Sequence, residues 1–534
     1  MILPGNASHL VKNCFKHRIN WKECQSNVTT MFNFKWQQNI IGIDYYSLSK
    51  TPSVKQIFNH FEFHQQISNK FNLFINMTKY CEENDLEVFN FLPFTVIMQY
   101  DCENYHQQMI SFTNFYDNIS EYLVDLSINS DIDRLRKNTS KNTCNLNHYS
   151  LNFKKKYIHF FNFNGMGTDK LGKNTTVFIP TTHYISRNLW LVKAANLNRG
   201  RCIKIADSLQ GIQKLIKKFY DGINKKVEED EETEIINPNN SNNLLIYNSN
   251  KNKSPSNCLS NDEKEKKKNS MAQIKYRSNS ILIQKYIENP LLYNGRKFDV
   301  RVWVLVTHKL EAYVFKEGHL KTSSSKYDIN NINKQIHLTN YSVQKYCDNF
   351  SKFEEGNEVP FKDFQLYLDN EYGKEIINVK KDIFKKIKKL IEISCRSVQN
   401  KINLNSRNYC FEIFGYDFMI DANFNIFLLE VNTNPGLEES SSWIKVIVPR
   451  MLDDAMRLTI DELFETKFNF CILDEKEKVS NYCSPFPVDG YKDSDILWEF
   501  ICNLNEDSKI QKKDKKLKIK KKTSKKISTR KDNQ

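Results

Sequence analysis

Six side chains in three apolar stretches of this sequence are of the types that handle metal ions and phosphates. In Lys297-Phe298-Asp299-Val300-Arg301 charged and apolar residues alternate. A β-strand sends successive side chains to opposite faces. Lys297, Asp299 and Arg301 therefore share one face, and Phe298, Val300 and Val302 the other. In Phe427-Leu428-Leu429-Glu430-Val431-Asn432 the same rule puts Glu430 and Asn432 on one face with Leu428, and Phe427, Leu429 and Val431 on the other. Asp417 stands mid-strand in FGYDFMI. Carboxylates and an amide in such apolar strands are costly unless paired or metal-bound. Oxygen ligands suit Mg²⁺, which takes one or two carboxylates and completes its shell with substrate phosphates. Lys and Arg beside them would hold those phosphates. A lone Glu in a strand is more often an edge or salt-bridge residue. The three stretches together point to a phosphate or metal site, and periodicity goes no further.

The elements that must position these residues can be read from pattern. Residues 189–193 (LWLVK) read as a short buried strand and 202–206 (CIKIA) as its partner, across a turn containing Gly200. Residues 207–221 have amphipathic helical spacing. Residues 281–287 (ILIQKYI) form a strand ended by Asn289-Pro290. Residues 297–306 are a long strand, with 311–316 as its hairpin partner. Residues 376–402 form the clearest helix, with Ile383, Ile387, Leu390 and Ile391 on one side and lysines on the other. Two more strands meet at a turn over 421–423, and a helix near 444–460 follows. Upstream, a helical stretch is expected over 56–81 and an apolar run at FLPFTVIM, whereas 103–150 reads as polar and broken, and regular structure is expected to resume at Leu189. Strands alternating with helices, with hairpins in the middle, argue for α/β or α+β layers.

The chain has 534 residues and is 40% hydrophobic, enough for several domains but not for an integral membrane protein. No run of about 18 uncharged apolar residues occurs, and the N-terminal sequence does not have the pattern of a secretory signal. The 13 Cys are scattered with no C-x-x-C pair, which argues against a zinc site or disulfide framework and fits reduced thiols. Net charge is +15, but residues 512–532 alone hold twelve Lys or Arg against two Asp. The basic character thus belongs mainly to a tail, of a kind that attracts polyanions or is simply a solvated end. Residues 224–272, rich in Glu, Asn, Ser and Lys, are low-complexity and are expected to be a disordered insert within a domain that resumes after it.

The literal sequence says more. WLVK…NRGR, QKYIENPLLYNGRKFDVRVWVLV, AYVFKEGHLKTSSSKY, HLTNYSVQK, CFEIFGYDFMID and LLEVNTNPGLE, in that order, closely resemble the tubulin tyrosine ligase-like family, and the resemblance reaches upstream through NHFEFHQQISNKFNLFINMTKYC to cover roughly residues 35–465. It implies an α+β, ATP-grasp fold holding ATP between two subdomains under a glycine-containing loop. The implied reaction phosphorylates an acceptor carboxylate with ATP, after which an amino acid's amine displaces phosphate to leave an amide on an acidic tubulin tail. A carboxylate is a poor acyl donor because its leaving group is oxide, and phosphorylation supplies a better one. Catalysis then consists largely of gathering and neutralising anions.

Carried onto this sequence, the resemblance implies the following roles. Lys193 reaches ATP phosphates, and Gly200 with Arg201 forms the loop over them. Gln284, Lys285 and Ile287 line the adenine pocket. Lys297 and Asp299 contact phosphate or ribose, and Arg301 the phosphates or acceptor carboxylate. His337, Leu338, Thr339 and Asn340 form the signature segment near nucleotide and substrate. Asp417, Glu430 and Asn432 bind Mg²⁺, and Lys70 reaches nucleotide or acceptor. Arg301, Lys297 and Glu430 carry the catalytic load. Three departures stand out. Ala194 follows Lys193 where the family usually has Pro, Cys202 replaces the second glycine of R-G-R-G, and Lys321 replaces an Arg, which keeps charge but loses a bidentate fork.

The expected organisation is a lead-in over 1–34, an N-terminal subdomain over 35–150, a central subdomain over 151–223, the insert over 224–272, a C-terminal subdomain with the Mg²⁺ site over 273–470, and an extension over 471–534. Expected partners are ATP, Mg²⁺, tubulin tails and microtubules, and a free amino acid. Glutamate is favoured over tyrosine or glycine because the basic tail resembles cationic segments that some family glutamylases use. The expected location is cytoplasmic, at microtubules, the cytoskeleton or a cilium, for a monomer with no membrane span and no nucleic-acid partner. A microtubule-binding pseudoenzyme, favoured by Cys202 and Ala194, is the competing class. A nucleic-acid binder recruited through the tail is a third, and the body lacks a basic aromatic motif for it.

Overall fold

The structure is a computed structural model, and it describes residues 1–5, 7–24, 32–46, 55–139, 157–160, 177–185, 187–194, 203–225, 274–276, 278–437, 439–465, 468, 471–472 and 481–506. The expected insert and Lys-rich tail, and the loop residues Gly200, Arg201 and Cys202, lie outside them almost entirely.

The first half of the chain builds a four-stranded antiparallel sheet. Its main elements are helices α1 (Ser8–Phe15) and α2 (Lys70–Glu83), strand β1 (Thr95–Gln99), helix α3 (Tyr105–Thr139), strands β2 (Trp190–Ala194) and β3 (Lys204–Ala206), helix α4 (Leu209–Asp221) and strand β4 (Ser280–Lys285). Strand order is β1-β4-β2-β3. Ala194, where the family favours Pro, pairs with Ile281 inside this sheet. β4 lies beyond the expected insert in sequence yet sits between β1 and β2, so the sheet begun before the insert is completed after it. Short strands Ile223–Lys225 and Ile274–Tyr276 pair at the insert's two ends.

Three upstream expectations are corrected. The stretch read as polar and broken contains α3. Its buried residues Met109, Phe112, Phe115 and Ile119 fall on one stripe, and Phe112 meets Trp190 edge-on at 5.1 Å. One apolar stripe in an otherwise polar helix leaves the local average polar, which hid the period. The helical stretch expected over 56–81 opens instead with strand Ile57–Phe58, and its helices are Gln65–Ser68 and α2. Strands Tyr157–Phe160 and Val177–Pro180 precede Leu189.

The second half builds a seven-stranded antiparallel sheet. It contains β5 (Arg296–Val306), β6 (Glu311–Lys326), β7 (Glu358–Pro360), helix α5 (Phe384–Ser397), β8 (Glu412–Ile420), β9 (Ile426–Thr433), helix α6 (Ser442–Leu463) and β10 (Trp498–Asn503). The order is β7-β6-β5-β8-β9, with β10 on β6 and Leu292–Tyr293 on β5. The expected hairpin is present, Val306 facing Ala312, and β6 runs on to Lys326.

β5 shows how this sheet holds a site. Phe298, Val300, Val302 and Val304 enter the larger core with Ile387, Leu390 and Ile391 of α5. The opposite face changes character along its length. Trp303 and Leu305 are covered by α6 and α1, in a core with Ile447, Met451 and Leu10, while Lys297, Asp299 and Arg301 lie beyond that cover. Buried Arg18, just after α1, pins this cover by donating to Asp453 and Asp461 at 2.7 Å each.

Glu288 joins β4 to the approach to β2. Its Oε1 accepts from Lys285 Nζ at 2.7 Å and Leu189 N at 2.8 Å, and its Oε2 from the backbone N–H of Ile185 and Arg187, both at 3.1 Å. Glu288 and Lys285 are both buried, and burial pulls the Lys285 ammonium down to about 8 despite Glu288. Removing one partner of such a pair leaves a buried charge uncompensated, at a cost of about 3–5 kcal/mol. Glu288→Ala is therefore expected to lose about that much stability in urea denaturation, and a loss below about 1 kcal/mol would mean that solvent already screens the pair.

Candidate active site

A cleft lies between the two sheets. β2 and β4 of the smaller sheet form one wall, and β5, β8 and β9 of the larger sheet the other. Of the residues singled out from sequence, Lys193, Gln284, Lys285, Ile287, Lys297, Asp299, His337, Leu338, Asn340, Asp417 and Glu430 line it. Sequence reasoning missed Pro93, Leu191, Ile203, Tyr286, Met419 and Leu429, which line it too. One part of the lining is apolar, where Ile287, Met419 and Phe427 cluster with Leu429. Another part is charged.

The charged part is a continuous network. Arg301 and Asp417 are directly opposed on β5 and β8, and Asp417 and Glu430 on β8 and β9. Arg301 donates to both Asp417 oxygens, Nε to Oδ1 at 2.7 Å and Nη2 to Oδ2 at 3.0 Å. Lys321 donates to Oδ1 at 2.8 Å. Asn432 Nδ2 bridges the carboxylates, 3.1 Å from Asp417 Oδ2 and 3.2 Å from Glu430 Oε1. Lys70, the first residue of α2, reaches Glu430 Oε2 at 3.1 Å. Asn69 caps that helix by accepting from the N–H groups of Phe71 and Asn72, which fixes where Lys70 begins. Lys297 donates to His337 O at 2.9 Å and lies 3.5 Å from Asp299 Oδ1. Thr339 donates to the other Asp299 oxygen. Lys193 donates to Gln284 Oε1 at 2.7 Å, and Gln284 to Thr95 Oγ1 at 2.9 Å.

Two backbone features make this arrangement possible. A Cβ on Gly415 would stand 2.8 Å from Pro435 Cβ and 3.1 Å from Arg301 Nη1, so only glycine leaves the guanidinium its place. On β9 the register slips, because Asp417 faces Glu430 while Phe418 faces Leu428. Leu429 is the extra residue of a β-bulge. The expected alternation is corrected accordingly. Leu428 and Val431 enter the main core, while Phe427 and Leu429 belong to the cleft-side cluster. Glu430 and Asn432 stay on the cleft side, and strict period two fails because the bulge turns two successive residues the same way.

Charge decides what the cleft can hold. Burial would raise Asp417, but Arg301 and Lys321 outweigh it and hold the carboxyl well below the usual range. Burial would likewise raise Glu430, and Lys70, Lys321 and Lys193 outweigh both burial and the repulsion of Asp417. Both are carboxylates at neutral pH, as metal ligands must be. Burial lowers Lys193 to about 8, helped by repulsion from Lys70, and burial also lowers Lys297 despite Asp299. Lys70, Lys193, Lys297, Arg301 and Lys321 are five cations against the four carboxylates Asp299, Asp417, Glu430 and, beside Arg301 and Lys321, Glu358. Such an excess suits a polyanion.

The donor set fits Mg²⁺ with a nucleotide. Among the described residues no three His, Cys, Asp or Glu side chains group as a metal site. A cation here would rest on Asp417, Glu430 and the Asn432 amide, whose half-turn exchanges its donor for an acceptor, with phosphate or water completing the shell. That is the habit of Mg²⁺ rather than of zinc. The apolar lining with a few polar groups suits a planar base.

Other expected residues have different surroundings. The Lys285 ammonium turns away to Glu288 and stands 4.6 Å from the Tyr184 ring centre, which leaves its backbone on the cleft side. His337 is held by Tyr286 Oη at 2.7 Å and Asn331 O at 2.5 Å, and burial lowers its pKa. These contacts orient the HLTN segment rather than expose a ring nitrogen. Next to Arg301, buried His319 and partly buried Glu358 are residues that sequence reading passed over. Glu358 accepts from Ser440 at 2.7 Å and Ser441 at 2.6 Å.

Comparison with known proteins identifies the family by sequence. Residues 130–467 match the model of the Tubulin-tyrosine ligase family. The chain is 33% identical over 184 residues to tubulin glycylase 3B of Tetrahymena thermophila, covering 34% of this chain and 15% of that protein. It is 35% identical over 182 residues to the probable tubulin polyglutamylase TTLL9 of Bos taurus, covering 34% and 38%. It is 33% identical over 188 residues to the probable alpha-tubulin polyglutamylase Ttll1 of Tetrahymena thermophila, covering 34% and 44%. The chain therefore spans less than half the length of each of these relatives.

The Lys193 titration gives a direct test of the phosphate end. An anion bound at Lys193 favours the ammonium, so ATP affinity should fall as pH rises through about 8 and the free protein loses that proton. Isothermal titration between pH 7 and pH 9 is expected to show roughly a three- to tenfold weakening. Lys193→Met should bind weakly at both pH values and lose most of the dependence. A flat wild-type profile would remove Lys193 from the phosphates.

Proposed function

The chain belongs to the tubulin-tyrosine ligase family, and from that premise we propose that it is an ATP- and magnesium-dependent ligase, of ATP-grasp type, that joins an amino acid to a carboxylate on an acidic tubulin tail. The observation that carries the reading is the shared network of Asp417, Glu430 and Asn432 facing five cations in one cleft. Bound ATP with Mg²⁺ would supply the phosphoryl group that activates the acceptor carboxylate.

Every other task falls to this chain's own side chains. Lys193 and Lys297, both with lowered pKa, hold phosphate oxygens and gain charge stabilisation as they do so. Arg301 and Lys321 share Asp417. Asp417 would hold Mg²⁺ together with Glu430 and Asn432, and Arg301 and Lys321 would be the cations that face a second anion, the acceptor carboxylate or the incoming amino acid. Lys321 offers charge without the fork of an arginine, so Arg301 carries the orientation. Fixed cations in a cleft with little water stabilise developing negative charge without having to reorganise.

We favour glutamate as the amino acid, with glycine and tyrosine as the alternatives. The basic tail supports glutamate, while relatives named as glycylases and as polyglutamylases match to similar degree. The reading as a pseudoenzyme rests on Cys202 and Ala194. Ala194 sits in the regular β2–β4 ladder and leaves Lys193 aimed at Gln284, which weighs against that reading.

The test supplies purified tubulin, ATP, Mg²⁺ and each labelled amino acid in turn. Wild type should incorporate one of them, and Glu430→Gln should lose incorporation by about a hundredfold or more, the scale of removing a transition-state charge contact. Equal incorporation by both proteins would refute the metal assignment. No incorporation, together with no magnesium-dependent stabilisation by ATP in a thermal shift, would leave the pseudoenzyme.

A further inference from the structure

Alternation divides the short strand β7 between two faces. Val359 enters the main core with Leu320, so Glu358 and Pro360 face the other way. Glu358 is directly opposed to Lys321, Lys321 to Asp299, and Arg301 to Asp417. Glu358 therefore stands on the face that carries the cleft charges, with Lys321 and Arg301 between it and Asp417 in strand order. Its carboxylate is firmly held. Ser440 Oγ donates to one oxygen at 2.7 Å and Ser441 Oγ to the other at 2.6 Å. Gly356 brings the turn before β7 against this segment. Its φ is 64°, and a Cβ there would stand 2.7 Å from Ser440 O.

Glu358 nevertheless lacks a cation in contact. Among the described residues no Lys or Arg nitrogen lies within ion-pair distance of it, and the one basic group that does is His319, with Nε2 at 3.9 Å. His319 is buried, and burial together with Arg301 and Lys321 holds its pKa well below the usual range, so the ring is neutral. Arg301 and Lys321 both turn to Asp417 instead. A neutral amide oxygen would accept from a serine as a carboxylate does, whereas a largely buried carboxylate with no contacting cation is costly. Glu358, Arg301 and Lys321 keep 11%, 12% and 14% of their side chains exposed, so a small ligand can reach all three.

We propose that Glu358 binds the ammonium group of the incoming amino acid while Arg301 and Lys321 take its carboxylate. The inference rests on the ligase reading and deepens it, because that reading leaves Arg301 and Lys321 to either of two anions. Glu358 decides between them. An acceptor side-chain carboxylate on Arg301 would be repelled by Glu358 with nothing to offset it. An α-amino acid is a zwitterion whose cation and anion share one carbon, and adjacent fixed charges of opposite sign match it in orientation as well as in sign. An ammonium also offsets burial, which raises the Glu358 pKa against the pull of Ser441, Ser440, Arg301 and Lys321. The acceptor carboxylate then belongs on the other side of Arg301, beside Mg²⁺ and the phosphates. The competing role for Glu358 is to anchor the serines ahead of α6. Glu355 already does this at Ser442, accepting from its N–H at 2.9 Å and its hydroxyl at 2.6 Å.

Steady-state incorporation by the full-length protein, with tubulin, ATP and Mg²⁺, tests the proposal. The probes are the amino acid that wild type incorporates and the analogue that lacks only its amine: glutarate for glutamate, acetate for glycine, hydroxyphenylpropanoate for tyrosine. Glu358→Gln keeps the shape and an oxygen acceptor. It is expected to raise KM for the amino acid by about tenfold or more, the scale of a charge-assisted contact, and to leave KM for ATP within about twofold. The analogue should inhibit this variant as well as wild type or better, because a repulsion has gone. The double variant Ser440→Ala, Ser441→Ala removes the anchor and keeps the charge, and it should still prefer the amino acid to its analogue. An unchanged amino-acid KM in Glu358→Gln, a parallel weakening of amino acid and analogue, or loss of the preference in the serine variant would each overturn the inference and leave the ligase reading standing. Wild type that incorporates no amino acid would refute the ligase reading and this inference with it.

Discussion

Asp417 is buried in the middle of a strand and carries a full negative charge, and the architecture around the cleft answers to that fact. Its two oxygens take the guanidinium of Arg301, the ammonium of Lys321 and the amide of Asn432. A buried ion is tolerated only when its partners are close and well aimed. Each partner comes from a different strand, so β5, β6, β8 and β9 must keep one register for the charge to be met. Glu430, one strand further on, extends the demand to Lys70 at the start of α2. A helix from the N-terminal region is thus tied to the sheet of the C-terminal region by electrostatics as well as by apolar packing.

The same register divides each strand between two duties. β5 sends its even-numbered valines into the core and its odd-numbered charges into the cleft, and Trp303 and Leu305 then close that face under α6. Gly415 leaves room for Arg301, and the bulge at Leu429 turns an apolar residue toward the cleft beside Glu430. The cleft is therefore apolar where a base would lie and charged where phosphates would lie, with no separate element devoted to either.

Charge is distributed at two scales. In and around the cleft cations outnumber carboxylates by five to four, and burial lowers the pKa of two of the lysines, so an incoming anion is favoured. On α5 Lys385, Lys386 and Lys389 are exposed, where salt screens their charge.

Much of this site was legible in the sequence. Alternation in KFDVR, Asp417 in an apolar strand and the LLEVN stretch named the charged half of the cleft, and the longer motifs named the family. Local rules sufficed there because strand periodicity is fixed by backbone geometry and because unpaired charge in an apolar strand is too costly to be accidental. Other features required the folded chain. α3 was hidden because a single apolar stripe does not alter an average. The facing of Leu428 and Leu429 was misread because a bulge is a property of two paired strands rather than of one. Lys285 lines the cleft as expected, but only the fold shows that its ammonium is taken by Glu288 and the Leu189 carbonyl beside the Tyr184 ring. The sequence by itself determined which residue types are available and in what order, since strand periodicity and the cost of burial act locally. Tertiary structure alone decided which charges neutralise one another, because Coulomb energy depends on distances that only the folded register sets.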